Sequence, residues 1–285
     1  MRALVLGATG QIGRFLLQEL VAHGVEVEAV SRDAQSLQPG VGWRRFDLYV
    51  QGDAMKRPDV VFSAGPLDGL LAWLSRTRHR PARIVAFSST SAATKQDSPD
   101  AAERELALHL QRCERALEMH CDARGIGWTI LRPTLVYGCG LDANLSRIAA
   151  LARRWRLVPL PSDAVGLRQP VHAHDLAVCA RVAANTGKSL RKRYDLCGGE
   201  ALSYLEMVRR TVACLQPPAR ILLLPPWLFR GVAHLAARLR VVTDFGPGML
   251  ERMRQDLVFD AAAAARDLDW SPRPFRPEPG NFPDG

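Results

Sequence analysis

The chain starts with Met1-Arg-Ala-Leu-Val-Leu-Gly-Ala-Thr-Gly-Gln-Ile-Gly13, and this stretch decides the fold. The apolar run at residues 3–6 predicts a buried strand, which ends at the first glycine. A helical apolar pattern follows over residues 11–22. A glycine turn at the N-terminus of a helix offers backbone N–H groups and the positive end of the helix dipole to a pyrophosphate. We therefore predict a dinucleotide site at this turn.

The three glycines have separate roles in such a turn. Gly7 permits the sharp bend, Gly10 lets the cofactor approach the backbone, and Gly13 allows the helix to pack closely on the strand. Their spacing, Gly-x-x-Gly-x-x-Gly, is one residue wider at the front than the commonest dinucleotide fingerprint. The residues of this segment predicted to contact the cofactor are Gly7, Thr9, Gly10, Gln11, Ile12, Gly13 and Arg14.

Strands and helices alternate through the first half of the chain. Further strands are predicted at residues 25–30, 43–46, 60–62, 83–87 and 127–131, and further helices at 68–78 and 100–123. This alternation indicates a parallel sheet with helices on both faces, whose ligands bind at the carboxyl ends of the strands. The predicted fold class is therefore α/β, a Rossmann-type doubly wound sheet.

The second half has a looser pattern and predicts a small C-terminal substrate lobe. Helices are predicted at 144–154, 175–184, 204–215 and 261–268 and from residue 226, strands at 194–196 and 221–224, a proline-rich link at 159–161, and an irregular tail from 271. We assign residues 1–138 to an NAD(P)-binding core. Residues 139–285 form a substrate-binding lobe that is interleaved with the last core elements in a single globular unit.

Composition excludes several classes of protein. The six cysteines lack paired metal-ligand spacing, and no secretory leader precedes the first strand, so free thiols in the cytoplasm are expected. The net charge of +9 comes almost entirely from arginine. This charge is either a solvated surface or an attraction for an anionic cofactor and substrate. The arginines are dispersed, so no nucleic-acid partner is predicted. Prolines and arginines interrupt the apolar residues at 221–242, so no transmembrane segment is predicted.

The end of the second strand bears on the choice of nicotinamide cofactor. An NAD site usually has an acidic residue there, which binds the ribose 2′-hydroxyl. Here the strand ends in Ser31-Arg32-Asp33, and Arg32, together with Arg14, suits the 2′-phosphate of NADP. Asp33 keeps NAD open as the alternative, since a shift of one residue would present it instead.

Other strand ends complete the predicted cofactor site. Asp47 and Leu48 follow the third strand and are predicted to meet the adenine. The segment Ser63-Ala64-Gly65 follows the fourth strand and is predicted to line the cofactor path.

Three later segments carry a family resemblance. They are Phe87-Ser-Ser-Thr90, Leu131-Arg-Pro-Thr-Leu-Val-Tyr-Gly138 and Gln169-Pro-Val-His-Ala-His-Asp-Leu-Ala177. With the glycine turn, they resemble the NAD-dependent epimerase/dehydratase family, which comprises extended and atypical short-chain dehydrogenases/reductases. The resemblance covers about residues 1–270. It implies that Ser88, Pro133 and Leu135 lie beside the cofactor.

The catalytic residues of that family are carried over only in part. The family uses a Ser or Thr after the fifth strand, matched here by Thr90, and a Tyr-x-x-x-Lys pair on the next helix. Alignment on the segment Glu114-Arg-Ala-Leu117 puts Leu106 and Leu110 at the Tyr and Lys positions. No tyrosine lies between residues 49 and 137, so no shift of register restores the pair.

A substitute for the tyrosine needs a pKa that can approach neutrality. Lys95, in the loop after the fifth strand, is the first candidate, because burial or a nearby cation would lower its pKa. A bound water is the second, and an exposed lysine without a catalytic role is the alternative. Asp97 is expected to pair with Lys95 or to cap the next helix.

The lobe offers three candidates for binding an anionic substrate: Asn144, Arg147 and Arg168. The cluster His172-Ala-His174-Asp175 has the look of a metal site. In the resembled family, however, this segment supports the site and begins a helix, so no metal is predicted. Tyr137 is expected to be structural.

Two functions remain open on the sequence. The first is an NADP-dependent reductase, dehydrogenase or epimerase acting on a nucleotide sugar or another small carbonyl compound. The second is a non-catalytic cofactor-binding protein, such as a redox sensor or assembly factor. Charged residues on the helix at 100–123 predict a monomer or a weak homodimer, and the stripe Leu106, Leu110, Cys113 and Leu117 is expected to face the core.

Overall fold

A computed structural model of the chain describes residues 1–33, 35–36, 38–51, 56–238 and 251–282, with the backbone alone for 233–238. Its strands are β1 (Arg2–Leu6), β2 (Glu26–Ser31), β3 (Val41–Arg45), β4 (Val60–Ser63), β5 (Arg83–Phe87), β6 (Gly127–Pro133), β7 (Val136–Tyr137), β8 (Leu157–Pro161), β9 (Leu167–Arg168), β10 (Val171–His172), β11 (Lys192–Leu196), β12 (Leu202–Ser203) and β13 (Arg220–Leu224). Its α-helices are α1 (Gln11–Ala22), α2 (Leu67–Leu74), α3 (Ser91–Thr94), α4 (Ala101–Arg124), α5 (Leu145–Trp155), α6 (Ala173–Asn185), α7 (Tyr204–Ala213), α8 (Pro226–Arg238) and α9 (Ala262–Leu268).

The central sheet confirms the predicted α/β Rossmann-type fold. Within the described residues it has seven parallel strands in the order β11-β6-β5-β4-β1-β2-β3. The chain proceeds outward from β1 to β3, then crosses to the other side of β1 and continues from β4. This reversal opens a crevice at the carboxyl ends of β1 and β4, where such sheets bind ligands.

Both faces of the sheet are buried, as its alternating side chains show. Ala3 and Val5 pack into one apolar cluster with α1 and α6, whereas Leu4 and Leu6 pack into a second cluster with α2 and α4. Since successive side chains of a strand point to opposite faces, a run of apolar residues in β1 supplies both cores at once.

A third apolar cluster forms the core of the lobe. Tyr137, Leu145, Met207 and Phe275 are among its fully buried members. The proline-rich segment predicted as a link is instead β8, which pairs in parallel with β13. Among the described residues β8 pairs with a strand on one side only, so the N–H groups that its prolines lack are not needed for the pairing. The division at residue 138 stays a prediction, and β11 from the second half joins β6 in the main sheet.

Two local predictions were wrong. The segment at 91–94, expected as a loop, is the short helix α3. The predicted apolar stripe of α4 faces the core only from Cys113 onward, since Leu106 is 42% exposed and Leu110 is half-buried. Leu106 lies on the first turns of α4, which extend beyond the apolar cluster under the sheet.

Candidate functional site

The glycine turn between β1 and α1 leaves no room for side chains at two of its glycines. Gly7 has φ of +73°, and a Cβ added there would lie 2.4 Å from the Gly65 nitrogen. A Cβ added to Gly13 would lie 2.2 Å from the Gly7 carbonyl oxygen. Gly10 is the N-cap of α1 and provides no side-chain cap, so the first N–H groups of the helix remain available to an anion.

Two buried polar atoms beside this turn indicate that the site fits a dinucleotide. Gln11 Nε2, on the first residue of α1, and Ser63 Oγ, at the end of β4, have no hydrogen-bond partner among the described residues. Ser63 is opposite Leu6, the last residue of β1. Buried polar groups normally have partners, and the phosphate and ribose oxygens of a dinucleotide would supply them. Ala64 and Gly65 continue from Ser63 along the same edge, and Gly65 directly faces Gly7.

The residues predicted at the adenosine end lie next to β2 and β3. Arg32 follows β2, its side chain is exposed, and its carbonyl oxygen accepts a hydrogen bond from Arg45 Nε at 3.1 Å. Arg14 is also exposed and donates from Nε to the Thr9 carbonyl oxygen at 3.0 Å, which holds it at the glycine turn. The geometry therefore provides one exposed arginine, Arg32, at the end of β2 and another, Arg14, at the glycine turn.

Asp33, Asp47 and Leu48 have weaker positions for their predicted roles. The N–H of Asp33 donates to Ser31 Oγ at 3.2 Å, and its side chain is exposed. The carboxylate of Asp47 accepts a hydrogen bond from the Tyr49 N–H at 2.8 Å, so it closes its own turn. Leu48 is half-buried against the cluster that contains α2 and α4.

Hydrogen bonds to the buried carboxylate of Glu114 join the end of β5, α4 and β6. We call this group of hydrogen bonds the Glu114 tie. Glu114 is 1% exposed and accepts hydrogen bonds from Ser88 Oγ at 2.5 Å and from Arg132 Nε at 2.9 Å. The hydrogen bond to Glu114 raises the pKa of Arg132. The Ser88 hydroxyl, predicted to contact the cofactor, is thus committed to Glu114. The tie also fixes the register of α4, so Leu110 and Leu106 lie about one and two turns before Glu114.

Thr90 and Lys95 line one cavity of about 450 Å³, next to the carboxyl ends of β5 and β6. Thr90 is buried, and its hydroxyl donates to the Pro133 carbonyl oxygen at 3.2 Å. Leu135 lines the same cavity, and the Pro133 carbonyl also accepts the Thr90 N–H at 3.2 Å. The cavity therefore brings together the end of β5, the α3 segment and the loop after β6.

Lys95 lies in an ion-pair cluster that the sequence did not reveal. Lys95 Nζ is 3.2 Å from Glu103 Oε1, and Arg252 pairs with the same carboxylate. Burial lowers the pKa of Lys95, the charge of Arg252 lowers it further, and Asp100 opposes the shift. Asp97 was expected to pair with Lys95 or to cap α4. Instead Glu103 pairs with Lys95, and Asp100 caps the helix by accepting the Ala102 N–H at 2.9 Å.

Arg168 lines the cavity, but its guanidinium is bound to the protein. It donates to the carbonyl oxygens of Leu167, Gln255 and Arg252 and stacks on the ring of Tyr204 at 5.6 Å. Its residue is only 6% exposed. Because these backbone oxygens engage both terminal nitrogens, Arg168 joins β9 to the segment at 251–255, and this arrangement argues against its predicted contact with the substrate.

The other two predicted substrate residues lie at α5. Asn144 lines the cavity and precedes the helix, and Asp142 Oδ1 accepts its N–H at 3.0 Å. Arg147 is exposed on the first turns of α5. The charged side chains lining the described cavity comprise three cations and three carboxylates, so its formal charge is balanced: Lys95, Arg168, Arg252, Asp97, Glu103 and Glu251.

The histidine-rich segment supports the start of α6. His172 Nδ1 accepts the His174 N–H at 3.1 Å, and burial lowers the pKa of His172 to about 4. Asp175 pairs with Arg273 at 2.7 Å. The Tyr137 ring packs edge-on against His172, and burial raises the pKa of Tyr137 to about 12. Among the described residues, no group of three or more His, Cys, Asp or Glu side chains is arranged to hold a metal ion.

The comparisons with known proteins agree with this geometry. The family described as NAD(P)H-binding matches residues 7–138. UDP-glucose 4-epimerase of Vibrio cholerae is 24% identical over 178 residues, which are 62% of this chain and 52% of that protein. These two matches support the resemblance to the epimerase/dehydratase-like extended short-chain dehydrogenases/reductases. The NAD(P)-binding fold of the chain is thereby established, and the family resemblance deduced from the sequence is confirmed.

A second relative has a different role. The mitochondrial NADH dehydrogenase [ubiquinone] 1 alpha subcomplex subunit 9 of Dictyostelium discoideum is 22% identical over 236 residues, which are 72% of this chain and 62% of that protein. The chain thus aligns with about half to three fifths of the length of these two relatives.

Solved structures share the fold over almost the whole chain. UDP-glucose 4-epimerase of Thermotoga maritima, solved with UDP-glucose, has a TM-score of 0.71 at 16% identity and covers 95% of this chain and 94% of its own. UDP-glucuronic acid 4-epimerase of Bacillus cereus, in complex with UDP-glucuronic acid and NAD, has a TM-score of 0.72 at 16% identity with the same coverage.

Proposed function

We propose that this chain is an NADP-dependent oxidoreductase or epimerase of a nucleotide sugar or another small carbonyl compound. The observation that carries the proposal is the shared cavity, in which the Thr90 hydroxyl and the Lys95 amine lie at the carboxyl ends of β5 and β6. A ligand at this edge of the sheet is adjacent to the crevice at the glycine turn. The UDP-sugar relatives support the nucleotide-sugar class.

The cofactor is held, in this proposal, by backbone and by two arginines. The N–H groups at the start of α1 bind the pyrophosphate, and Gln11 and Ser63 supply the hydrogen bonds that they otherwise lack. Arg32 and Arg14 bind the 2′-phosphate, because arginine presents a fork of N–H donors that matches phosphate oxygens. This arrangement favours NADP over NAD, which remains the alternative through Asp33.

The nicotinamide supplies hydride-transfer chemistry to the site when it is bound. Thr90 orients the substrate oxygen by a hydrogen bond, and Lys95 donates a proton to that oxygen during carbonyl reduction. In the oxidative direction the neutral Lys95 amine accepts the hydroxyl proton. Burial lowers the pKa of Lys95 and the charge of Arg252 lowers it further, and both effects favour release of the proton from the amine. A bound water remains the second candidate for this proton transfer.

A non-catalytic role is the second candidate, and two observations favour it. In the alignment on the segment Glu114–Leu117, Leu106 and Leu110 take the positions of the family Tyr and Lys. One relative is a subunit of NADH dehydrogenase. A cofactor-binding subunit, redox sensor or assembly factor needs the glycine turn but no proton donor.

The experiment separates cofactor binding from turnover. NADPH and NADH are titrated by fluorescence at fixed salt, and UDP-sugars and small carbonyl compounds are then screened for cofactor oxidation and for epimerisation. We expect tighter binding of NADPH and turnover of at least one substrate class. Binding without turnover across the screen favours the non-catalytic role. Failure of both cofactors to bind would contradict both candidates.

The proposal includes a cytoplasmic protein that is a monomer or a weak homodimer. Helix α4 is the surface considered for assembly. It exposes Leu106, Leu108 and Met119 between its charged residues. Light scattering over a dilution series tests the expectation, and a dimer that persists at nanomolar concentration would contradict it.

A further inference from the structure

Four elements of the lobe, α5, β8, β13 and α8, expose apolar side chains. We call this surface the apolar–basic face, and its apolar members are Trp155, Leu157, Leu222, Trp227, Leu228 and Val232. Trp227 is 73% exposed and Trp155 is 53% exposed. Trp155 ends α5 and lies two residues before Leu157 in β8, which pairs with β13, and α8 follows directly and packs against β8. The members therefore belong to one continuous part of the lobe.

Helix α8 is held on one side and open on the other. Phe229 is 2% exposed and anchors the helix in the lobe. Trp227, Leu228, Gly231 and Val232 are exposed, and their spacing places them on one face of the helix. An exposed tryptophan and leucine on one helical face, with the exposed Leu222 in the preceding strand β13, exceed the scattered apolar residues of an ordinary surface.

The same part of the sequence contains nearly all of the net charge. Residues 145–162 and 211–243 contain no Asp, Glu or Lys, and their eight arginines give +8 of the formal +9 of the whole chain. These arginines are Arg147, Arg153, Arg154, Arg156, Arg220, Arg230, Arg238 and Arg240. Six of them, all except Arg238 and Arg240, have described side chains and lie in or directly beside α5, β8, β13 and α8, the elements that form the apolar–basic face.

Arginines and apolar side chains alternate along this face. The Arg154 guanidinium lies 5.5 Å from the centre of the Trp155 ring, Arg156 separates Trp155 from Leu157, and Arg220 is opposite Leu157 in the β8–β13 pair. These segments contain arginine and no acidic residue, so the face complements an anionic surface. The interleaved pattern suits the boundary of a lipid bilayer, where phosphates and acyl chains lie within one side chain's length of each other.

We infer that the apolar–basic face docks on the surface of an anionic lipid bilayer. Trp155 and Trp227 lie at the level of the headgroups, where indole rings are favoured, the leucines enter the acyl boundary, and the arginines meet the lipid phosphates. The attachment is peripheral, because no helix in the described part of the chain is long and apolar enough to cross a membrane. This inference is independent of the proposed function, since none of these residues lines the cavity or the glycine turn.

The test uses a triple variant of the face and a charge-matched control. The face variant combines Arg154→Glu, Arg220→Glu and Trp227→Ser, all at exposed positions. The control combines Arg112→Glu, Arg115→Glu and Met119→Ser on the exposed side of α4, where Met119 is 67% exposed. Both variants change the net charge by the same amount, so a difference between them reports the position of the charge.

Flotation is measured with vesicles of phosphatidylcholine, with and without phosphatidylglycerol, at physiological ionic strength. We expect the unmodified chain to float with the anionic vesicles only, the face variant to lose about tenfold or more in partitioning, and the control to remain within about twofold. Circular dichroism and NADPH titration show that each variant is folded, and the flotation result stands whether or not the chain has enzymatic activity.

Three results would overturn the inference. One is no flotation of the unmodified chain with anionic vesicles. Another is an equal loss in the face variant and the control, which would assign binding to net charge alone. The third is a dimer of the unmodified chain that the face variant converts to a monomer without any vesicle binding, which would assign the face to a second copy.

Discussion

The glycine turn and the Lys95 cavity lie at the same edge of the sheet, yet they are built in opposite ways. The turn is made of backbone, and an added Cβ at Gly7 or Gly13 would collide with other backbone atoms. The cavity is made of side chains, and its most polar part joins Lys95, Glu103 and Arg252 from distant parts of the chain. A backbone cradle admits one kind of ligand shape, whereas a side-chain cavity can be changed residue by residue. Cofactor binding is therefore the more constrained property, and the substrate the more variable one.

Replacement of Lys95 tests the role of the side-chain cavity in catalysis and has the largest expected effect. In Lys95→Met the proton donor is lost while the glycine turn is untouched, so turnover is expected to fall by roughly 10²–10⁴ and the NADPH dissociation constant to stay nearly constant. Thr90→Ala serves as the milder control, because it removes one hydrogen bond worth about 1–3 kcal/mol. Full turnover in Lys95→Met would exclude Lys95 as the acid/base.

Gly7→Ala tests whether the close backbone packing of the glycine turn requires glycine, with Gly24→Ala as a matched control. Both glycines have positive φ, +73° and +68°, but only Gly7 has backbone atoms where the Cβ would lie. The left-handed conformation costs roughly 1–2 kcal/mol in either variant. The collision with Gly65 adds about 1–3 kcal/mol in Gly7→Ala alone, and weakens cofactor binding as well.

Chemical denaturation measures both variants, and fluorescence titration measures cofactor affinity. Equal losses of unfolding free energy in the two variants would show that the close approach of Gly7 to Gly65 does not constrain the turn.

Arg32→Ala tests the adenosine end of the cofactor site, where we propose that a side chain, and not the backbone, binds the cofactor. Loss of one charge-assisted contact with the 2′-phosphate should cost about 1.5–3 kcal/mol, or roughly ten- to a hundredfold in NADPH affinity. NADH lacks this phosphate, so its affinity should hardly change. Isothermal titration at fixed salt gives both constants, and an unchanged preference for NADPH would remove Arg32 from the site.

Arg252→Gln has the smallest expected effect and tests whether the ion-pair cluster tunes the cavity. The charge of Arg252 contributes to the lowered pKa of Lys95, so its removal raises that pKa. A protonated Lys95 is the acid in carbonyl reduction, and activity is lost as the pH rises through its pKa. The descending limb of the pH profile should therefore move to higher pH in Arg252→Gln. A limb that stays in place, or moves to lower pH, would show that another group controls the profile.

Sequence reasoning reached the cofactor half more fully than the cavity. The predicted helix at 11–22 and the predicted strand at 83–87 have the bounds that the structure gives to α1 and β5, because both are defined by local apolar patterns. Lys95 was predicted as the candidate acid/base in the loop after the fifth strand, but its partner was expected at Asp97 and is Glu103. Arg168 was expected at the substrate, whereas its donors are taken by backbone oxygens up to 87 residues away. No local sequence pattern predicts contacts between residues so far apart in the chain.

The Glu114 tie shows the same limit at the boundary between the two regions. Glu114 served as an alignment point on α4, yet nothing in the sequence indicated that Ser88 and Arg132 would both donate to it. A spacing rule covers residues within one helix or strand, while this contact spans three elements. These two partners explain how a charged residue can be buried within the apolar stripe of α4, because a buried carboxylate requires hydrogen-bond partners.

The sequence by itself determined the Rossmann-type sheet, the glycine turn and the lack of any tyrosine between residues 49 and 137. These follow from periodicity, from the steric freedom of glycine and from residue identity, all of which are local properties. The tertiary structure alone decided that Lys95 shares a carboxylate with Arg252, that Arg168 is a structural clamp, and that arginines of two distant segments meet on one apolar face. Burial and electrostatic pairing depend on which segments the fold brings together, and that is set by packing of the whole chain.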